Sequence, residues 1–452
     1  MALSDVLADN AVFRLDADYF GKNALMAVDR LVAHGSVRLS SVAKITDGIH
    51  ESLPFIEDGP VKVLSAKHPK DNYINAFGFE TIPQAYHDKN PRTSLQDGDV
   101  LISTVGTIGN AAVVTKDILP ANSDRHVGIV RPFPGDVSPY FLSTFLTGKY
   151  GRVQSLREAT GNVQLNLFIS KIGQLLLPRF SSKFESRIAS HVESAYEVRR
   201  RAAIYMMQAE ESLGIALGLD ALPPPPQLSY VRRSKDAFAA GRLDAEYFSP
   251  RFVELLRHLS IDGLSIGDVA PVRRERFVPK AIGSFSYIEI SAIEADGTAF
   301  GDEIAQSEAP SRAAWHVQAG DVITSMVRPI RRLSALIAQD QAGSVCSSGF
   351  VVLNPTAIAG EVLLTYLRLS PVCELLDLHT SASLYPAISE QDLLTIPVPY
   401  VDDSMEATVV DCVRTAQASR RRAAELLDAA KRAVEIAIEE SEASAVEYLG
   451  SI

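Results

Sequence analysis

Cysteine is scarce. Cys346, Cys373 and Cys412 are the only three, and none has the paired spacing of a zinc site or a disulfide framework. A reduced, cytoplasmic setting fits such usage. No apolar run approaches the roughly 20 residues needed to span a bilayer. The opening MALSDVLADNAVF lacks the basic and apolar regions of a secretory signal. Cofactor loops are lacking as well. GTIGN (106–110) does not have G-x-G-x-x-G spacing, and FLTGKYG (145–151) has Gly-Lys without the rest of a phosphate loop. LNPT (353–356) and VSPY (137–140) bear only a faint likeness to the Asn/Asp-Pro-Pro-aromatic motif of amino-methyltransferases. The nine histidines form no H-x-x-x-H or H-E-x-x-H pair for a metal, and no acidic cluster precedes a Glu-x-Lys of the nuclease kind. A non-catalytic chain binding no cofactor or metal of its own is the expectation.

An excess of positive charge is absent too. The net charge is -11, which excludes a strongly basic nucleic-acid binder. The acidity is uneven, however. Residues 1–181 carry 18 Lys/Arg against 18 Asp/Glu, whereas residues 230–400 carry 15 against 20. Local basic patches remain compatible with DNA binding.

What the chain has in plenty is itself. RLDADYF (14–20) returns as RLDAEYF (242–248). Gly98-Asp99-Val100 returns as Gly320-Asp321-Val322, with Ser103 and Val105 matched by Ser325 and Val327. Ile169-Ser170, closed by Pro178, returns as Ile388-Ser389, closed by Pro397. RRRAA returns at 199–203 and 420–424. Ordered matches at nearly one offset mean two copies of a unit of about 220 residues.

Each copy begins with short β-like runs: VKVL (61–64), DVLIST (99–104), AAVV (111–114) and GIVRP (128–132), then SYIEI (286–290), DVITSMV (321–327) and GFVVL (349–353). One helix per copy follows, over 139–156 and 360–378. This predicts α/β domains. Each copy then closes with a long helix. Ile188, Val192, Ala195, Arg199, Ala202, Met206, Ala209, Leu213 and Ala216 fall at 4-3-4-3 spacing, a coiled-coil seam. The same seam recurs 221 residues on, from Val409 through Arg420 and Leu427 to Ala437. The spacing predicts antiparallel pairing, with Arg199 facing Leu427 and Arg420 facing Met206; two helices each lying on its own domain is the alternative. LPPPPQ (222–227) marks a stiff linker. The expected divisions are 1–181, 182–220, 221–229, 230–400 and 401–452.

RLDADYF, DGIH (47–50), GDVLISTVGTIGNAAVV (98–114), TGNVQLNLFISKIGQLLLP (160–178) and a following coiled-coil helix, given twice over, resemble the specificity subunit of type I restriction–modification systems. The resemblance covers essentially the whole chain. It implies a tandem, pseudo-twofold duplication of an α/β target-recognition domain plus a spacer helix. Such a protein would read a bipartite double-stranded DNA target in the cytoplasm, catalysing nothing. Its partners would be DNA methyltransferase subunits, with two similar faces for two copies, and restriction/translocase subunits. S-adenosylmethionine, ATP and Mg would belong to those partners. A duplicated protein-interaction scaffold with little DNA readout is the alternative.

Copy two departs from the pattern: RPIRR (328–332) stands where copy one has GTIGN, and SASLYP (381–386) where it has GNVQLN. Sequence readout needs side chains that bond base edges, such as Arg to guanine and Asn or Gln to adenine. Copy one offers Thr104, Thr107, Asn110, Asn162, Gln164 and Asn166. Copy two offers Arg328, Arg331, Arg332, Ser383 and Tyr385, with Arg273, Arg274, Arg276 and Lys280 upstream. Lys67, Lys70, Arg92, Arg125 and His126 are candidates for phosphate contact, which positions without specifying, and His50 is a further candidate for DNA contact. Each has a plainer reading. Asn162 and Asn166 can satisfy turn backbone, Arg331 and Arg332 can lie on a solvated hairpin, and His50 can be a buried, satisfied histidine. Arg14 with Asp16 and Arg242 with Asp244 are expected to be structural or subunit-docking.

Overall fold

The alternation of apolar residues in VLIS decides the layering of the first domain. Val100 and Ile102 point into a core shared with Phe141 and Phe145, while Leu101 points into a second core with Leu64, Ala121 and Ile129. A strand buried on both faces reads as a continuous apolar run, and all four residues of Val100–Ser103 are buried. The computed structural model describes residues 14, 16, 19–75, 78–161, 164–222, 229–294, 296–381 and 385–452. Asn162, Ser383, Asp18 and the four prolines lie outside them.

Both domains are mixed helix–strand structures with related strand schemes. In the first, Ala43–Asp47, Val127–Pro132, Val100–Ser103 and Ala111–Val113 form an antiparallel sheet in that order. Beside it, Val61–Leu64 pairs antiparallel with Glu80–Ile82 and parallel with Ala121–Ser123. In the second, Val322–Ser325 lies between Ser334–Leu336 and Phe350–Leu353, all antiparallel. Ser284–Ile288 pairs antiparallel with Asp302–Ala305 and parallel with Val345–Ser347. The duplication read from motifs extends to the central pairings, a parallel pair included, and stops at the sheet edges. Among the described residues, Ala43–Asp47 has no matching strand in copy two, where Ala313–His316 adds a fourth strand beside Val345–Ser347.

The helix expected after the sheets is two helices in each copy. In the first, Pro139–Thr147 and Lys149–Glu158 break at Gly148, whose backbone is extended. A side chain at Gly151 would sit 2.3 Å from the Phe145 carbonyl oxygen, so the tight crossing requires glycine. In the second, Gly360–Arg368 and Ser370–Leu378 break at Leu369. Pro371 has no N–H to give the Leu367 carbonyl; the Cys373 thiol donates to it instead, at 3.2 Å.

Arg14, Asp16 and Tyr19 of RLDADYF form a clasp on the second of these helices. Arg14 bonds both oxygens of Asp16 and donates to the Arg157 and Ala159 carbonyls. Arg242 likewise grips Asp244 and donates to the Leu378 carbonyl. A guanidinium on the last carbonyls of a helix satisfies acceptors that have no N–H of their own. The structural reading holds, and Tyr19 and Tyr247 complete it by lying under Arg14 and Arg242.

The long helices run Ser182–Ala216 and Asp403–Glu439. The chain forms two compact units, Met1–Arg199 with Arg421–Ile452, and Arg200–Arg420. In the first unit, Phe184, Ile188, Val192 and Ala195 share a core with Ala423, Leu427, Ala430, Val434 and Ala437. In the second, Ala202, Met206, Ala209 and Leu213 share one with Val409, Val413 and Ala416. Each unit joins the front of one helix to the back of the other, which is antiparallel pairing. The seam is buried throughout except at its arginines and at Ala216. Arg199 stacks on the Tyr73 ring, 3.3 Å from its centre, and Arg420 forms an ion pair with Asp296. Each seam arginine is thus held by its own α/β domain.

Candidate nucleic-acid interface

Two loops flagged separately in the sequence are neighbours in each copy. Val105 bridges to Asn166, and Val327 bridges to Ala387. In copy one the loop after Val100–Ser103 turns through Gly106 and Gly109, with φ of 68° and 86°. In copy two Arg328 and Arg332 hold the same left-handed turns, at φ 51° and 58°. That conformation costs a non-glycine residue on the order of 1 kcal/mol. The two left-handed positions are kept, in a loop one residue longer in copy two, and their side chains are replaced.

The loop of copy one has two kinds of residue. Thr104 and Asn110 are buried. The Thr104 carbonyl accepts from Leu167, and Asn110 accepts from Arg152 at 2.8 Å, so both hold the loop together. Thr107 and Gln164 are exposed. Asn166 pairs its backbone with Thr160 and donates its side-chain amide to the Gln164 carbonyl, as the turn-satisfying reading expects.

A cluster of basic side chains held by carboxylates adjoins this loop. The amide of Thr104 donates to the His126 carbonyl, and Ile49 bridges to Asp124. The approach is close: a side chain at Gly48 would overlap the Asp124 carbonyl. His50, which is exposed and not buried, and Arg92 both bond the Asp47 carboxylate. Burial raises the Asp47 carboxyl, but Arg92 and His50 outweigh it and hold it below the usual carboxylate range. Asp124 accepts from His126, whose ring receives Arg125. Lys67 is exposed and Lys70 half-buried. His68 between them is buried, its Nδ1 accepting from the Ser65 amide, and burial pushes its pKa down to about 4.

Copy two divides its arginines differently. Arg273 makes a two-pronged bond to Asp321, which is 1% exposed. The matching Asp99 is held the same way by Arg131, from another strand. Arg274 pairs with Glu390, and Arg332 with Glu210 on the first long helix. Arg368, 2% exposed, also reaches Glu210. Arg276, Lys280 and Arg331 are exposed. Arg328 lies over Tyr385, and its amide donates to the Pro386 carbonyl. The partner carboxylates Asp321, Glu390 and Glu210 are 48 to 122 residues away in sequence, so charge counting along the chain did not find them. Among the described residues, no group of three His, Cys, Asp or Glu could hold a metal ion. No helix among them is long and apolar enough to cross a membrane.

No family model and no curated protein matches this sequence. Among solved structures, the chain is similar to the S subunit of a type I restriction–modification system from M. genitalium. The two share 12% identity with a TM-score of 0.36, over 89% of this chain and 94% of that one. It is similar to the HsdS subunit from Thermoanaerobacter tengcongensis at 16% identity and a TM-score of 0.29, over 90% and 96%. A chain from a structural study of type I R–M complex assembly and conformational transition gives 15%, 0.28, 90% and 97%.

Proposed function

We propose that this chain is the DNA-reading subunit of a type I restriction–modification assembly, with one half-site per α/β domain. One observation carries the reading: equivalent loops keep their left-handed backbone while Gly106 and Gly109 give way to Arg328 and Arg332. A loop that keeps its left-handed turns and varies in side chain is what two readers of different sequences require. Thr107 and Gln164 in copy one, and Arg328 and Arg331 in copy two, are the base-edge candidates. Lys67, Arg92, Arg125, Arg276 and Lys280 would take phosphates. Methyltransferase and restriction subunits would supply the chemistry, with S-adenosylmethionine, ATP and Mg bound by them.

The spacer follows from helix length. The first long helix has 35 residues, about 50 Å at 1.5 Å per residue, or roughly one and a half turns of B-DNA. Inserting one heptad after Ala202 and after Ala423 is expected to lengthen the unread gap and leave both half-sites unchanged, as read by methylome sequencing. Altered half-sites with the old gap would count against the proposal.

The scaffold reading draws on a specific observation as well. Arg273 and Arg274 are engaged by carboxylates of their own domain, and Arg332 by Glu210 of the first long helix. Duplex binding that falls steeply with salt and depends on sequence favours DNA reading; association with partner proteins and no such binding favours the scaffold.

A further inference from the structure

Lys431 and Glu210 occupy the same place in the two long helices. Each follows a buried seam alanine, Ala430 or Ala209, and the two are 221 residues apart, the offset of the whole seam. Each packs against the α/β domain of the opposite half of the chain. Their charges are opposite, and so are their partners.

In the first unit Lys431 forms an ion pair with Asp71, which Arg152 contacts from its other oxygen at 3.1 Å. Burial draws the Lys431 ammonium down, but Asp71 and Asp428 outweigh it and raise its pKa. In the second unit Glu210 binds Arg332 and Arg368 together. Arg368 is almost wholly buried and also donates to the Arg332 carbonyl at 2.9 Å. Nothing in the seam itself makes this distinction. Every seam position matches in character between the helices, so the apolar contacts alone would accept either helix.

We propose that these two joints are a charge code that makes each half of the chain pair with the other half and not with a second copy of itself. If two first halves paired, Glu210 would meet Asp71. If two second halves paired, Lys431 would meet Arg332 and Arg368, and the buried Arg368 would lose its carboxylate. Like charges brought together reject the wrong partner, most strongly at Arg368, whose side chain is 2% exposed, and less at Asp71, whose side chain is 43% exposed. The second mismatch is the harsher, because two cations face a third. The code does not depend on DNA reading and stands or falls apart from it. If that reading is right, the code keeps the two half-sites unlike by excluding pairs of identical domains.

The test uses the full chain with a protease site placed in its proline-rich linker. The folded protein is cut, mixed with an isotope-labelled cut copy, and its pairs are weighed by native mass spectrometry after exchange. Wild type should give only first-half with second-half pairs. Lys431→Glu should raise self-paired second halves at least about tenfold, a change equal to ~1.4 kcal/mol. Glu210→Lys should do the same for first halves, and Glu210→Gln should not. A statistical mixture from wild type, or no rise in either reversal, overturns the proposal. The uncut chain supplies a second reading. Lys431→Glu should lower the urea midpoint, and adding Asp71→Lys should restore most of the loss; failure of that rescue also overturns it.

Discussion

Arg328 holds its guanidinium 5.2 Å from the centre of the Tyr385 ring while its own backbone sits in the left-handed region. A guanidinium carries a planar fork of donors whose geometry matches the edge of guanine. Replacing Arg328 with alanine should cost about 1–3 kcal/mol at one base pair of one half-site and leave the other half-site alone. Competition binding with base-substituted duplexes measures this. A uniform loss across all sequences would mean that Arg328 holds phosphate instead. Arg328→Gly should lose the same readout yet gain on the order of 1 kcal/mol of stability from the relieved turn.

Arg273 should behave in the opposite way. Asp321 is 1% exposed, and removing its partner strands a carboxylate. Arg273→Ala should therefore cost about 3–5 kcal/mol of stability with base preference unchanged at permissive temperature. Urea unfolding and duplex competition on the same preparation separate the two effects.

Glu210 and Arg332 make a graded pair of tests. Glu210→Ala takes from the buried Arg368 the carboxylate it is paired with, at a cost of about 3 kcal/mol or more. Arg332→Ala leaves Glu210 and Arg368 together and should cost only about 1 kcal/mol. Equal losses, measured by denaturant unfolding, would refute the assignment of Arg368 as the dependent member.

His68 predicts a pH response. Burial holds its folded pKa near 4, below the ordinary 6.5. Above pH 6.5 both folded and unfolded chains are neutral at this ring, and it contributes no pH dependence. As pH falls from 6.5 toward 4, the unfolded chain takes up the proton and the folded chain does not. Stability should then fall by about 1.4 kcal/mol per pH unit, on the order of 3 kcal/mol in all. His68→Asn, whose side-chain oxygen can still accept from Ser65, should flatten that slope between pH 6.5 and 5. An unchanged slope would place the titration elsewhere.

How much of this was legible depended on the length and periodicity of each element. The long helices showed because a 4-3-4-3 seam repeats over nine positions. VLIS and FVVL showed because strands covered on both faces are near-continuous apolar runs, and VKVL because apolar residues flank a half-buried Lys62. Ala121–Ser123 did not, since two of its three buried residues are polar and bond within the domain, Asn122 to Thr93 at 2.9 Å. Asp302–Ala305 is largely exposed and carries no apolar pattern. The helix Lys22–Ala33, with Ala24, Ala27 and Leu31 inward, has small residues on its buried side and gave little contrast. In the site, the duplication exposed the loops, because only they break the match. It could not say which arginines were engaged. That depended on carboxylates brought in by the fold, so Arg273, Arg274, Arg331 and Arg332 looked alike in the sequence.

The clasps at Arg14 and Arg242 bear on how such a chain can be recombined. Each guanidinium closes on a helix end of its own half, 143 to 145 residues later in the first case and 136 in the second. A crossover placed before the clasp carries both members across together. One placed between Arg242 and Leu378 gives a hybrid whose helix ends on a carbonyl shaped for a different hand. Workable exchange points for swapping halves should therefore cluster upstream of each RLDA, where the module has not yet been closed.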